Sequence, residues 1–327
     1  MKLLVIGSVA FDSIETPFGK INKTLGGSGS YISLSAGYFT KPAIVAVVGN
    51  DFKKFNGFKK RGVDTSALQT ANGKTFHWMG KYGLDLNTRE TLKLNLGVFA
   101  NFTPRLNTTH SQSEYVFLGN IAPKLQMNVL KQIQFASRRT KFVGLDTINF
   151  WIEKAKSELL KVLKQVDIFI INDSEARELS GENNILKCAK KILEMMVSPT
   201  TSPALDEDSS LKRRRETTLI IKRGEYGLLM FRYSHHRSYS LQTFHLPGLP
   251  LENVVDPTGA GDSFAGGFMG YLAKTDNISW ANLKTACLYG STMASFCVQN
   301  FGVKGIQNLK QKQISQRVKE FETLTDF

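Results

Sequence analysis

Apolar runs of strand length alternate with stretches of helical periodicity along most of the chain. Leu3, Leu4, Val5 and Ile6 open a predicted strand over 2–10, which ends at Gly7-Ser8-Val9-Ala10-Phe11-Asp12. A small-residue turn at 25–30 runs into a helical pattern. Ala43 to Gly49 predicts a buried strand, and 52–68 reads as a helix followed by the segment Arg61-Gly62-Val63-Asp64. From residue 114 strands are expected at 115–120, 142–146, 166–171 and 218–222. Helices are expected at 124–137, 153–164, 174–180 and 184–196. A further apolar run ends at Val254-Val255. Phe264, Phe268, Tyr271 and Leu272 then share one helix face, with Gly266 and Gly270 beside it to allow close approach. A long apolar helix at 280–298 and an amphipathic one at 311–324 complete the chain. Continuous apolar strands alternating with helices predict an α/β fold whose mostly parallel sheet is covered on both faces.

Two stretches break this rhythm. From Lys74 to Asn101 short segments interleave polar and aromatic residues, as in Thr75-Phe76-His77-Trp78-Met79, with no helical period. Together with residues 13–24 they predict a small β-sheet standing off the main body, or a surface meander. Residues 198–216 hold prolines, serines and threonines, then Asp206-Glu207-Asp208 and Lys212-Arg213-Arg214-Arg215. That composition predicts a flexible insertion between a helix and a strand.

Composition adds limits. The chain has 327 residues with 42% apolar and 21% charged residues, the range of an ordinary globular protein. No apolar run approaches the roughly 20 residues that span a bilayer. The first residues read as a strand and not as a signal peptide. Cys188, Cys287 and Cys297 form no Cys-x-x-Cys pair, so reduced thiols in a cytoplasmic protein are expected. A net charge of +14 arises from 42 basic and 28 acidic residues spread mostly singly. It suits solubility or attraction to anionic nucleotides better than nucleic-acid binding. Neither nucleic acid nor membrane is expected as a partner.

The densest chemistry is Asp256-Pro257-Thr258-Gly259-Ala260-Gly261-Asp262-Ser263-Phe264. Glycines before a helix leave its first N–H groups free to hold an anion. Asp262 beside them would repel a phosphate, unless its task is to take a proton from a hydroxyl while those groups hold the migrating phosphoryl group. The loop is not a Gly-x-x-x-x-Gly-Lys-Ser/Thr loop, and Phe264 stands where a dinucleotide fingerprint needs its third glycine. Asp12, just past a first strand, sits where ligands bind in open α/β sheets. Asn172-Asp173-Ser174-Glu175 follows another strand and reads either as a helix cap or as a polar site.

The string 256–264 resembles the C-terminal signature of the ribokinase-like (PfkB-type) carbohydrate and nucleoside kinases. A Gly26-Gly27 loop and Asn172-x-x-Glu175 resemble its other motifs, in family order. The resemblance implies one ribokinase-like domain over 1–327. Its fold would be a three-layer α/β/α sandwich with a small β-sheet lid at 13–24 and 74–102. It implies an ATP-dependent transfer to a hydroxyl of a sugar or sugar-containing small molecule. Asp262 would be the general base, and Gly259, Ala260 and Gly261 the anion hole. It further implies Asp12, Gly26 and Gly27 at the substrate, where Tyr31 replaces the usual asparagine. Asn172, Lys222, Gly224, Gly227 and Thr258 would line the nucleotide. Magnesium would lie near Glu175 through water, and Asp146 and Asn149 end a strand on the same edge. Asp256 leaves a monovalent cation such as K+ open, as relatives leave open a homodimer through the lid. An adenosine or other nucleoside kinase, with Tyr31, Phe76 or Trp78 against a base, is the alternative. A non-catalytic protein that retains the fold is a more distant one.

Overall fold

Apolar runs of four to eight residues become strands of two sheets in the computed structural model. It describes residues 1–53, 55–136, 139–197, 216–234 and 240–325. The insertion expected at 198–216 lies outside them apart from Glu216. The strands are β1 (Leu3–Ile6), β2 (Ala10–Thr16), β3 (Gly19–Gly26), β4 (Pro42–Gly49), β5 (Leu68–Ala71), β6 (Phe76–Tyr82) and β7 (Arg89–Asn95). They continue with β8 (Tyr115–Leu118), β9 (Phe142–Asp146), β10 (Ile168–Asn172), β11 (Thr218–Lys222), β12 (Leu228–Ser234) and β13 (Ser240–Leu246). The nine-stranded sheet runs β13-β12-β11-β10-β9-β8-β1-β4-β5, and the four-stranded sheet β3-β2-β6-β7. In the larger sheet only the pairs β11–β12 and β12–β13 are antiparallel.

Side-chain alternation divides the core between the two faces. Phe169 and Ile171 of β10 point to the layer that holds helices Pro123–Ala136, Lys156–Leu163, Asp173–Ser180 and Ile185–Val197. Ile168 and Ile170 point to the layer of Ala260–Thr275 and Trp280–Cys297. Three layers result, as the strand–helix rhythm predicts. Helix Ser28–Ala36 is buried along its whole length despite four serines. It packs closely on Ala260–Thr275. A Cβ at Gly270 would lie 2.8 Å from Ala36 Cα, and one at Gly266 would strike the carbonyl of Ile32. No helix among the described residues is long and apolar enough to cross a membrane.

The structure departs from the sequence reading in places with identifiable causes. The strand expected over 2–10 is split: β1 stays in the large sheet, and from Ala10 the chain joins the small one. Asp12 therefore belongs to the lid. The helix expected at 52–68 shrinks to Asn56–Lys60, because Asp64 is drawn into backbone bonds with β4 at Ile44 N and Pro42 O. The helix expected at 153–164 starts earlier and breaks at Ala155 into Asn149–Lys154 and Lys156–Leu163. Val254-Val255 joins no strand. The Val255 and Asp256 N–H groups both donate to the carbonyl of Val298 after helix Trp280–Cys297.

Candidate active site

Parallel strands leave their carboxyl ends on one edge of the sheet, where polar side chains escape the apolar layers. β9 ends at Asp146, β10 at Asn172 and β11 at Lys222, with Asn172 and Lys222 in register. Lys222 Nζ lies 4.0 Å from Asp146 Oδ2, and both side chains are largely buried. Helix Ala260–Thr275 begins on the same edge. Gly259, its N-cap, has φ of 76°, a left-handed geometry that glycine adopts without steric cost. A Cβ on Gly261 would stand 2.7 Å from Lys222 Nζ, so the ammonium group lies against the loop.

Of the three N–H groups expected to form an anion hole, the turn itself uses one. Ala260 N–H donates to the carbonyl of Pro257 at 3.1 Å and closes the turn internally. The Gly259 and Gly261 N–H groups have no partner among the described residues. Asp256, fully buried, holds the turn from beneath. Its Oδ1 accepts from Thr258 N–H at 2.9 Å and its Oδ2 from Gly302 N–H at 2.8 Å. Burial raises its pKa, and these bonds oppose the rise.

Asp262 stands in the first turn of the helix and is partly exposed. Burial raises its pKa from 3.8 to about 8, helped by the charges of Asp146 and Asp12 and opposed by Lys222 and Arg89. Asp12 is raised to about 7 by burial and by Asp256, against a backbone bond from Gly27 and the charge of Arg89. The Asp12 carboxylate fills the place a side chain at Gly26 would take, so Gly26 and Gly27 bring the loop against it. Tyr31, expected at the substrate, is 1% exposed. Its ring packs beneath Gly259 and its hydroxyl has no hydrogen-bond partner. The ring thus supports the loop from behind.

Asn172 and Glu175 form a capping box. Asn172 Oδ1 accepts from Glu175 N–H at 2.8 Å, and Glu175 Oε2 accepts from Asn172 N–H at 3.0 Å. The cap reading is thus realised, and the second oxygen of Glu175 is left for other work. Burial raises Glu175 to about 7, with Asp146 adding to the shift and Lys222 opposing it. Asn149 is exposed at the start of its short helix. Gly224 and Gly227 bracket a 3-10 turn after β11.

The lid supplies residues that the sequence reading missed. Tyr82 and Arg89 are register partners on β6 and β7. Tyr82, 7% exposed, accepts a hydrogen bond from Thr258 Oγ1 at 3.1 Å. The Arg89 charge acts on Asp12, Glu175, Asp262 and Tyr82. Asn87, in the turn between these strands, meets Gly224. Sequence alternation at Trp78, Gly80 and Tyr82 was the available signal, since those residues share a face with Asp12 through its register with Trp78. The indole of Trp78 lies over Gly80, and the Arg89 guanidinium is 5.5 Å from its ring centre.

Asp12, Asp146, Glu175 and Asp262 outnumber Lys222 and Arg89, so the edge carries an acidic surplus suited to a cation. Among the described residues no group of three or more His, Cys, Asp or Glu could hold a metal alone. Magnesium takes few protein oxygens and keeps its waters, so Glu175 and Asp146 fit it. The hydroxyl of Thr147, buried next to Asp146 without a partner, is a further oxygen there. A surface concavity of about 590 Å³ lined by Leu106, Asn107 and Lys131 holds none of these acids.

Comparison with known proteins identifies the fold and the family. The chain is 26% identical over 273 residues to a cytidine kinase of Thermococcus kodakarensis, covering 82% of this chain and 87% of that protein. Its fold is similar to a Methanocaldococcus jannaschii nucleoside kinase (TM-score 0.69, 18% identity, 98% and 99% of the chains). It is also similar to the ribokinase of Giardia lamblia (TM-score 0.73, 18% identity, 98% and 99%). Residues 2–309 match the pattern of the pfkB family carbohydrate kinases, and the chain belongs to that family.

Proposed function

We propose that the chain transfers the terminal phosphoryl group of ATP to a hydroxyl of a sugar-containing small molecule, with Asp262 as the general base. The observation that carries this reading is the convergence of Asp262, Lys222 Nζ and the free Gly259 and Gly261 N–H groups on one sheet edge. A carboxyl held at about 8 is a far stronger base than an ordinary aspartate, once ionised, and still ionises near neutral pH. It takes the acceptor's proton as the hydroxyl oxygen attacks. The two N–H groups and Lys222 hold the transferred oxygens, and Arg89 adds positive charge from the lid. Asp12 accepts from the acceptor's other hydroxyls. The nucleotide lies along Lys222, Gly224, Gly227 and Thr258. Magnesium, when bound near Glu175 and Asp146, supplies charge neutralisation at the phosphates. Water is excluded by the lid, which keeps the phosphoryl group from being lost to hydrolysis.

One observation favours a nucleoside over a free sugar as the acceptor. Gly80 lets the Trp78 indole lie along the inner face of the lid, beside Asp12 on the neighbouring strand. A ligand whose hydroxyls meet Asp12 places its adjoining group near that ring. A flat base covers the ring, whereas a free pentose leaves it bare. The cytidine kinase relative over most of the chain supports the same reading.

ADP formation by the full chain with MgATP and ribose, fructose 6-phosphate, adenosine or cytidine tests both statements. Turnover fastest with a nucleoside is the expected result. A preference for ribose removes the base-stacking reading. Absence of turnover across a wide panel favours a non-catalytic protein.

A further inference from the structure

Thr258 directly precedes Gly259, the first of the two free N–H groups, and is held from several sides. Its own N–H donates to Asp256, its carbonyl accepts from Cys297 Sγ at 3.4 Å, and its hydroxyl donates to Tyr82. The first two partners belong to the body of the protein. Tyr82 belongs to the small sheet. It is a buried residue in a sheet whose β7 strand is exposed throughout, so its hydroxyl is sheltered by what lies across the cleft. Arg89 stands opposite Tyr82 in register. The small sheet thus holds both the Arg89 charge near the acids and the Tyr82 hydroxyl against Thr258.

We propose that Tyr82 is a positioning residue that reports lid closure to the phosphoryl-holding loop, its hydroxyl fixing Thr258 so that the Gly259 and Gly261 N–H groups are correctly aimed. The inference rests on the reading of that loop as an anion hole. It explains why a tyrosine lies at the inner end of a lid strand. An open lid leaves Thr258 Oγ1 without this partner and the loop one restraint short, so the hole is fully formed only when water is excluded.

The test uses the full chain with Tyr82→Phe, Thr258→Val and the double variant, none of which removes a ring or a branch. ADP formation is measured with MgATP and the best acceptor among ribose, adenosine and cytidine. Each single variant is expected to lower kcat about tenfold, and Tyr82→Phe, which lies outside the nucleotide contacts, to leave the KM for ATP within about twofold. The double variant is expected to be no slower than either single one, because both remove the same bond. Deuterium exchange, measured with MgATP and no acceptor, is expected to rise in residues 257–263 of Tyr82→Phe. Unchanged kcat in Tyr82→Phe overturns the proposal, as do effects that multiply in the double variant or unchanged exchange at 257–263. If the parent turns over none of these acceptors, the exchange measurement alone decides. Asp262→Asn, assayed beside them, separates failure of the latch from failure of the catalytic reading.

Discussion

The nine-stranded sheet and the four-stranded lid strike opposite balances between burial and charge. Every residue of β1 and β4 is buried, whereas every residue of β7 is exposed. Both nevertheless reach the same site. The body delivers Asp146, Lys222, Glu175 and Asp262 from strand ends and helix starts that packing holds rigid. The lid delivers Asp12, Trp78, Tyr82 and Arg89 from a surface with little core of its own. The body thus places its charges from a packed core, and the small sheet places its own from a sparsely packed surface.

The largest test of this division is thermodynamic. Ile170→Ala, in the centre of β10 and fully buried, is expected to cost about 2–5 kcal/mol in chemical denaturation. Leu94→Ala on β7, at 55% exposure, is expected to stay within about 0.5 kcal/mol. Comparable losses would break the comparison.

Arg89→Ala sharpens it. A lid residue that acts through charge should lower kcat/KM by about tenfold to a hundredfold while the melting temperature of the unliganded chain stays put. A fall in melting temperature that matches the Ile170 variant would make Arg89 structural.

The smallest effect, reduced because water reaches the partly exposed Asp262, is a pH dependence of stability. Asp262 ionises near 3.8 when unfolded and at about 8 when folded, so between these values the folded chain holds a proton the unfolded chain has released. Stability therefore falls as pH rises through that window. Asp262→Asn cannot ionise, so it should melt with the parent near pH 4 and a few degrees above it at pH 8. Asp146, Asp12, Lys222 and Arg89 face this carboxyl and set the width of the window. Equal melting at pH 8 would place Asp262 in an ordinary solvated setting.

Legibility followed the same line between the two regions. The apolar runs of β8, β9, β10 and β11 and the glycine-rich helix start at 259 declare themselves locally, because each run is buried whole. The string at 256–262 could be read from spacing alone. The lid could be read as a small sheet, but its facing could not. Arg89 and Tyr82 are polar residues in an alternating stretch, and only pairing with β2 turns them towards the acids. The packing of Tyr31 was hidden for a related reason. A phenol beside a Gly-Gly loop suggests a ligand contact, and only the path of the loop reveals the ring beneath Gly259. Ala260 shows the limit of counting N–H groups, since the turn itself uses one of them.

The central claim is that Asp262 removes the acceptor's proton. It is tested most directly by ADP formation and calorimetric ATP binding in Asp262→Asn, side by side with the parent. The account predicts turnover lower by about 10²–10⁴-fold with the Kd for MgATP essentially unchanged. Turnover equal to the parent's would contradict it.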